Sequence, residues 1–227
     1  MLALFDHMGQ DEDTIILKNR ETAAELLAKK LEKYKVEKPL VLAIPRGAVP
    51  MGAVIAKRLS TDMDIVLVHK IGHPSEPELA IGSVTEYGDI FLPPGMYSDL
   101  DPQALQTSAK EQIDLLKRKR REYASLKPAP ANPEGRVVII IDDGIATGST
   151  MIAAIRSIKA KHPKKVIVAA PVISENAYEI LKNEAHELVY LAIPPIFFSV
   201  GQFYKDFSQV TDSEVAEILM AATKQII

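Results

Sequence analysis

The chain has no cysteine and no tryptophan in 227 residues. Without thiols there can be no disulfide, no thiolate nucleophile and no zinc site of the Cys type. A reducing cytoplasm is the expected compartment. No apolar run approaches the roughly 20 residues that a membrane helix needs. The opening MLALFDHMGQDEDT lacks the cationic start and apolar core of a secretory signal. Internal repeats and low-complexity tracts are not evident. The net charge is only −3, so no broad positive field argues for nucleic acid as the main partner. Aromatics are sparse, yet five of the thirteen Phe and Tyr fall between Phe197 and Phe207.

What remains is an ordinary globular composition, 47% hydrophobic and 25% charged, long enough for one α/β domain with a full core. The stretch that organises it is Val137 to Thr150, VVIIIDDGIATGST. Five β-branched residues in a row suit a strand buried on both faces of a parallel sheet. Asp142 and Asp143 then emerge at the carboxyl edge, where open α/β sheets bind ligands. Gly144, Ala146, Gly148, Ser149 and Thr150 follow with little side chain and many backbone N–H groups at a helix start, an anion cradle. It is not the triphosphate P-loop, because no Lys follows Gly148, and no GxGxxG fingerprint is present.

Along the chain, Asn19 to Tyr34 reads as a helix with Ala23, Ala24, Leu27, Ala28 and Leu31 on one face. Leu40–Ile44 is a buried strand. Pro45-Arg46-Gly47-Ala48 is a turn leading to a helix from about Val49 to Leu59, and its Arg and approachable amides suit a diphosphate. Asp64–Val68 is the next strand. His69 to Glu78, with Gly and two Pro and no apolar period, reads as a loop. Its two His and two Glu match no zinc signature. Leu79–Glu86 and Asp89–Leu92 suggest a hairpin about Tyr87-Gly88.

Asp101 caps a long helix that Pro102 starts. Leu105, Ala109, Ile113, Leu116 and Tyr123 form its inner face. The basic run Lys117-Arg118-Lys119-Arg120-Arg121 is read as cations complementing the negative helix end, not as a nucleic-acid surface. A proline-rich linker over 127–133 leads to the central strand. Then come a helix over Thr150–Lys161, a strand at Lys165–Val172, a helix capped by Ser174, and a strand at Glu187–Ile193. Alternating strands and helices predict a parallel twisted sheet covered by helices on both faces. Pro194-Pro195 ends the regularity. The aromatic tail can staple itself to the core or sandwich a planar base.

The central motif resembles the binding site for phosphoribosyl diphosphate (PRPP) in the type I phosphoribosyltransferases: a hydrophobic strand, two acidic residues, two loosely constrained residues, then Ala/Asp-Thr-Gly-x-Thr. The resemblance covers roughly residues 19 to 195, and the tail is similar to that of an uncharacterised bacterial branch. It implies one domain over 1–227, with a core of about 19–195 and a small hood from 1–18 and 196–227. It also implies transfer of the phosphoribosyl group of PRPP to a nitrogenous base with release of pyrophosphate, in a cytoplasmic and usually homodimeric enzyme. By that resemblance Ala146, Thr147, Gly148, Ser149 and Thr150 hold the 5′-phosphate. Asp142 and Asp143, beside Gly144, take the ribose hydroxyls, and Pro45, Arg46, Gly47 and Ala48 bind the diphosphate. Lys70 begins a mobile catalytic loop that touches the diphosphate. Mg²⁺ is the implied cofactor, held through PRPP beside Asp142 and Asp143 with no other protein ligand. Phe203, Tyr204 and Phe207 are candidate base contacts. Hypoxanthine and guanine enzymes carry an acidic residue where this chain has Ala146, so an oxopurine is less favoured. Two other functions compete: a non-catalytic PRPP sensor that binds RNA or DNA, and a PRPP hydrolase.

Overall fold

The computed structural model describes residues 15–73, 76–92, 101–123 and 130–224. The acidic cluster at 11–13 and the first part of the 127–133 linker lie outside them. The secondary structure runs α1 (Arg20–Leu31), β1 (Leu40–Ala43), α2 (Ala48–Leu59), β2 (Met63–Ile65), β3 (Val68–His73), β4 (Glu76–Thr85), β5 (Ile90–Phe91) and α3 (Pro102–Tyr123). It continues with β6 (Val137–Ile141), α4 (Ser149–Lys159), β7 (Lys165–Val172), α5 (Glu175–Glu184), β8 (Glu187–Ala192) and α6 (Asp212–Lys224). Five parallel strands form one sheet in the order β2-β1-β6-β7-β8. The most apolar strand, β6, is central and buried at all five positions.

Side-chain alternation divides the core into two layers. Val41, Ala43, Ile139, Ile141, Ile167 and Ala169 face Ala23, Leu27, Leu31, Met51 and Ile55 of α1 and α2. Leu40, Leu42, Val138, Ile140, Val166 and Val168 face Met151, Ile155, Ala177 and Leu181 of α4 and α5. Helices therefore cover both faces, as the alternating pattern predicts. Asn19 Oδ1 accepts the Thr22 amide at 2.9 Å, Asp101 Oδ1 the Gln103 amide at 3.0 Å and Ser174 Oγ the Ala177 amide at 3.1 Å, so each caps the helix that follows it.

The segment after β2 departs from expectation. Asp64–Val68 is not one strand: the chain leaves the parallel sheet after Ile65, and β3 pairs antiparallel with β4 in a second sheet ordered β3-β4-β5. The expected loop over His69–Glu78 is, in its described residues, the paired end of this hairpin. His69 lies opposite Val84, Lys70 opposite Ser83, and irregularities flank Gly72. His69 and Lys70 are exposed while Ile71, Ile81, Ser83, Val84 and Thr85 are buried, so the polar letters masked a partly buried hairpin.

A buried ion cluster turns the chain. Arg120 donates from Nε and an Nη to the two Glu86 oxygens, both at 2.6 Å. It also donates to Asp64 Oδ1 at 2.6 Å and to the Ile65 carbonyl at 2.7 Å. Glu86 accepts the Leu67 amide at 3.0 Å, and Asp64 accepts the Ala131 amide at 2.7 Å. All three side chains are at most 4% exposed. Arg120 is therefore a core residue, not a solvated cation at the helix end. Desolvation raises the Glu86 carboxyl above its ordinary range, opposed by Arg120. The pairing joins the parallel sheet, the hairpin and α3.

Candidate active site

Each loop of the site leaves a strand at the carboxyl edge. Register pairs Ala43 with Ile141, and the Ile44 amide donates to the Ile141 carbonyl at 3.0 Å, so the turns after β1 and β6 are neighbours. The contact is close at Gly47. A Cβ added there would stand 1.9 Å from Asp143 Oδ2, nearer than any real side chain approaches, so only glycine lets this turn lie against the carboxylate. The Pro45–Arg46 peptide is cis. Arg46 is half-exposed and has an Nη 3.7 Å from Asp212 Oδ1 at the start of α6.

Asp142 and Asp143 are both half-buried. The Asp143 amide donates to Asp142 Oδ1 at 2.8 Å. Burial, and then the neighbouring Asp143 charge, push the Asp142 carboxyl well above the ordinary carboxylate range. Gly144 is held closely as well: a Cβ there would come within 2.4 Å of Val200. Next, the Ile145 amide donates to the Val172 carbonyl at 2.9 Å, and Ser174 Oγ donates to the Ala146 carbonyl at 2.5 Å. These bonds fix the loop to the end of β7. Gly148 takes φ +76°, a left-handed conformation that favours glycine. Ala146, Thr147 and Ser149 are exposed and Thr150 is half-exposed. None of the hydrogen bonds among the described residues ends on the amides of Thr147, Gly148, Ser149 or Thr150, so these donors stand ready for an anion.

The tail does something sequence did not indicate. Residues 17–18 pair with 203–206: the Leu17 amide donates to the Phe203 carbonyl and the Lys205 amide to the Leu17 carbonyl, each at 2.8 Å. Phe203 is completely buried against Phe197 and offers no face to a ligand. Tyr204 is also buried, and its hydroxyl donates to the Asp143 carbonyl at 2.6 Å. Burial and the Asp143 charge raise its phenol above the ordinary value. Phe207 is 36% exposed, stacks on Tyr204 at 4.9 Å, and carries the Arg20 guanidinium 3.8 Å above its ring. Of the three candidate base contacts, Phe203 is thus a core residue, Tyr204 braces the Asp143 main chain, and Phe207 already holds a cation. Lys70 lies exposed on β3, and no described hydrogen bond or ion pair joins it to these loops.

The residue that sequence reasoning missed is Arg20. Its Nε donates to Asp143 Oδ2 at 2.8 Å and an Nη donates to the Ser208 carbonyl at 2.6 Å. The one signal available was its place directly after the Asn19 cap, where an inward-facing cation is out of keeping with the positive helix start.

The described residues hold no group of three or more His, Cys, Asp or Glu arranged for a metal ion. No described helix is long and apolar enough to cross a membrane.

A family model described as "Phosphoribosyl transferase domain" matches residues 14–207. Two Mycobacterium tuberculosis proteins, each named "Putative phosphoribosyl transferase", are 35% identical over 202 residues, or 88% of this chain. The chain spans only 46% of the length of these curated relatives. The crystal structure of TT1426 from Thermus thermophilus is 40% identical, with a TM-score of 0.81 over 91% of this chain and 99% of that one. A Neisseria gonorrhoeae protein crystallised with ppGpp shares the fold at 12% identity, with a TM-score of 0.51 over 95% of this chain and 99% of that one. With the model spanning the parallel sheet, both edge loops and the pairing of the tail, the chain belongs to the type I phosphoribosyltransferase family.

Proposed function

We propose that the chain is a single domain, with residues 1–18 and 196–227 as its hood, that transfers the phosphoribosyl group of PRPP to a nitrogenous base. One observation carries this: the vicinal carboxylates stand between a turn that touches Asp143 through Gly47 and a loop whose amides at 147–150 have no hydrogen-bond partner among the described residues. A sugar bearing a phosphate at one end and a diphosphate at the other fits that order. The amides of Thr147 to Thr150 bind the 5′-phosphate, the two carboxylates accept the ribose hydroxyls, and the Pro45–Ala48 turn meets the diphosphate. Arg46, half-exposed within that turn, supplies a cation for the leaving diphosphate.

In the reaction the bond from C1 to the diphosphate oxygen breaks and its electron pair leaves with pyrophosphate. A base nitrogen supplies the pair for the new C1–N bond and sheds its proton. Positive charge builds on the ribosyl carbon in between, and carboxylates fixed beside it favour the transition state over the ground state. Mg²⁺ fits this donor set, since it binds through one or two carboxylates plus substrate phosphates. Asp142 and Asp143 are the oxygens that would hold it with PRPP, and it would neutralise charge on the leaving diphosphate.

The test is a panel of nucleobases incubated with PRPP and Mg²⁺ and scored for pyrophosphate and nucleotide. Nucleotide formation that needs a base is expected, and Asp143→Asn should slow it by about 100-fold or more without loss of folding. Base-independent pyrophosphate release would make the protein a hydrolase. Tight PRPP binding with no turnover would make it a sensor, and either result overturns transfer.

A further inference from the structure

Asp143 has a partner that carries no part in the transfer chemistry above. Arg20 stands 123 residues upstream in the first turn of α1, yet its Nε lies 2.8 Å from Asp143 Oδ2, with the two side chains 13% and 15% exposed. A surface ion pair of one hydrogen bond would contribute little and wander. This guanidinium is held on three sides: by the carboxylate, by the Ser208 carbonyl at 2.6 Å, and by the face of Phe207 at 3.8 Å. Gly47 closes the remaining side, since a Cβ there would come within 3.1 Å of Arg20 Nε. Phe207 in turn stacks on Tyr204, whose hydroxyl holds the Asp143 main chain. Side chain and backbone of one aspartate are therefore both tied to the tail.

We infer that Arg20 is a positioning residue for phosphoribosyl transfer. It fixes the rotamer of Asp143 through Oδ2, leaving the other oxygen to the ribose, and it couples that orientation to the seating of residues 204–208. The inference rests on the proposed function, because the ribose role of Asp143 does. A carboxylate free to rotate could follow the sugar in the ground state, but it would lose alignment where charge develops. Its orientation therefore acts on turnover more than on binding. Lysine can keep the charge, but not the fork that reaches carboxylate and carbonyl together or the flat stack on Phe207.

The experiment compares wild type, Arg20→Gln, Arg20→Lys and, as a surface control, Arg58→Ala, which removes an exposed pair with Glu32. Melting, Mg²⁺-PRPP affinity by calorimetry, and kcat and KM are measured for each. Arg20→Gln should stay folded and bind PRPP within about threefold of wild type while kcat falls about 100-fold, the scale of a misplaced catalytic group. Arg20→Lys should recover about tenfold of that loss through its charge, and Arg58→Ala should match wild type. An Arg20→Gln enzyme with undiminished kcat would overturn the positioning role alone. So would a loss that tracks the fall in folded fraction with no rescue by lysine. A wild-type protein that binds no PRPP would overturn the proposed function itself, and the positioning role with it.

Discussion

Replacing Gly47 with alanine sets two effects of opposite sign against each other. Gly47 has φ −57° and ψ −34°, ordinary helical geometry at the start of α2. By backbone entropy alone, alanine would stabilise the protein by about 0.4–1 kcal/mol. The new methyl, however, would lie 1.9 Å from Asp143 Oδ2 and 2.8 Å from its Cγ. Relief needs a movement of about 1–1.5 Å, judged against ordinary carbon contact distances. Asp143 cannot yield alone, because it is held by Arg20 on the side chain and by Tyr204 on the carbonyl. Either the Asp143–Arg20 bond breaks or the 45–48 turn retreats, and such overpacking costs about 1–3 kcal/mol. The clash wins over entropy, so Gly47→Ala should be less stable than wild type by about 1–2 kcal/mol. A displacement of this size in the site should lower kcat/KM by about 100-fold. Urea titration and steady-state assay with PRPP measure both. A Gly47→Ala protein that is more stable and fully active would refute the close approach of the two loops.

Three further outcomes can be measured on the same protein. Asp142 has a raised carboxyl pKa, so the folded state holds its proton more tightly than the unfolded state. Wild-type stability then declines as pH rises from the ordinary value of 3.8 towards the folded value, and stays lower above it. Asp142→Asn, which keeps an oxygen for the Asp143 amide, should melt higher than wild type at pH 7. That gain should vanish below the ordinary value, and a lower melting point at pH 7 would contradict the assignment. Arg120→Met would strand two buried carboxylates and should cost about 3–5 kcal/mol in urea unfolding; a loss below about 1 kcal/mol would be incompatible with the buried cluster. Tyr204→Phe leaves the Asp143 carbonyl without its donor and should cost about 1–3 kcal/mol. It should also reduce PRPP turnover, and unchanged turnover would separate the tail from the site.

Local pattern was enough wherever one periodicity dominated. The five β-branched residues of 137–141 read as a doubly buried strand, and they lie at the centre of the sheet. Asn19 and Ser174 cap the helices they precede because capping is a contact over three residues. The carboxylate pair and the small-residue loop were equally legible, since both lie within one short window of chain. What sequence could not carry was any contact that depends on distant partners. The hairpin at 68–85 hid behind the polar letters of its first strand, because the buried Ile81, Ser83, Val84 and Thr85 that it pairs beside lie on the second. Arg120 shares the inner stripe of Leu116 and Tyr123, but a charge on that stripe reads as surface until Asp64 and Glu86 are brought to it. The tail aromatics could be a base cage or a brace, and that choice depends on where Asp143 stands when the tail arrives. Arg20 is the clearest case. From the sequence it is a helix-start cation, and only the fold, by bringing the start of α1 to the end of β6, makes it the partner of Asp143. Sequence determined the strand, the cradle and the acid pair because backbone and nearest neighbours settle them. Tertiary structure decided which charges they meet, because a buried ion is stable only beside the partner that the fold delivers.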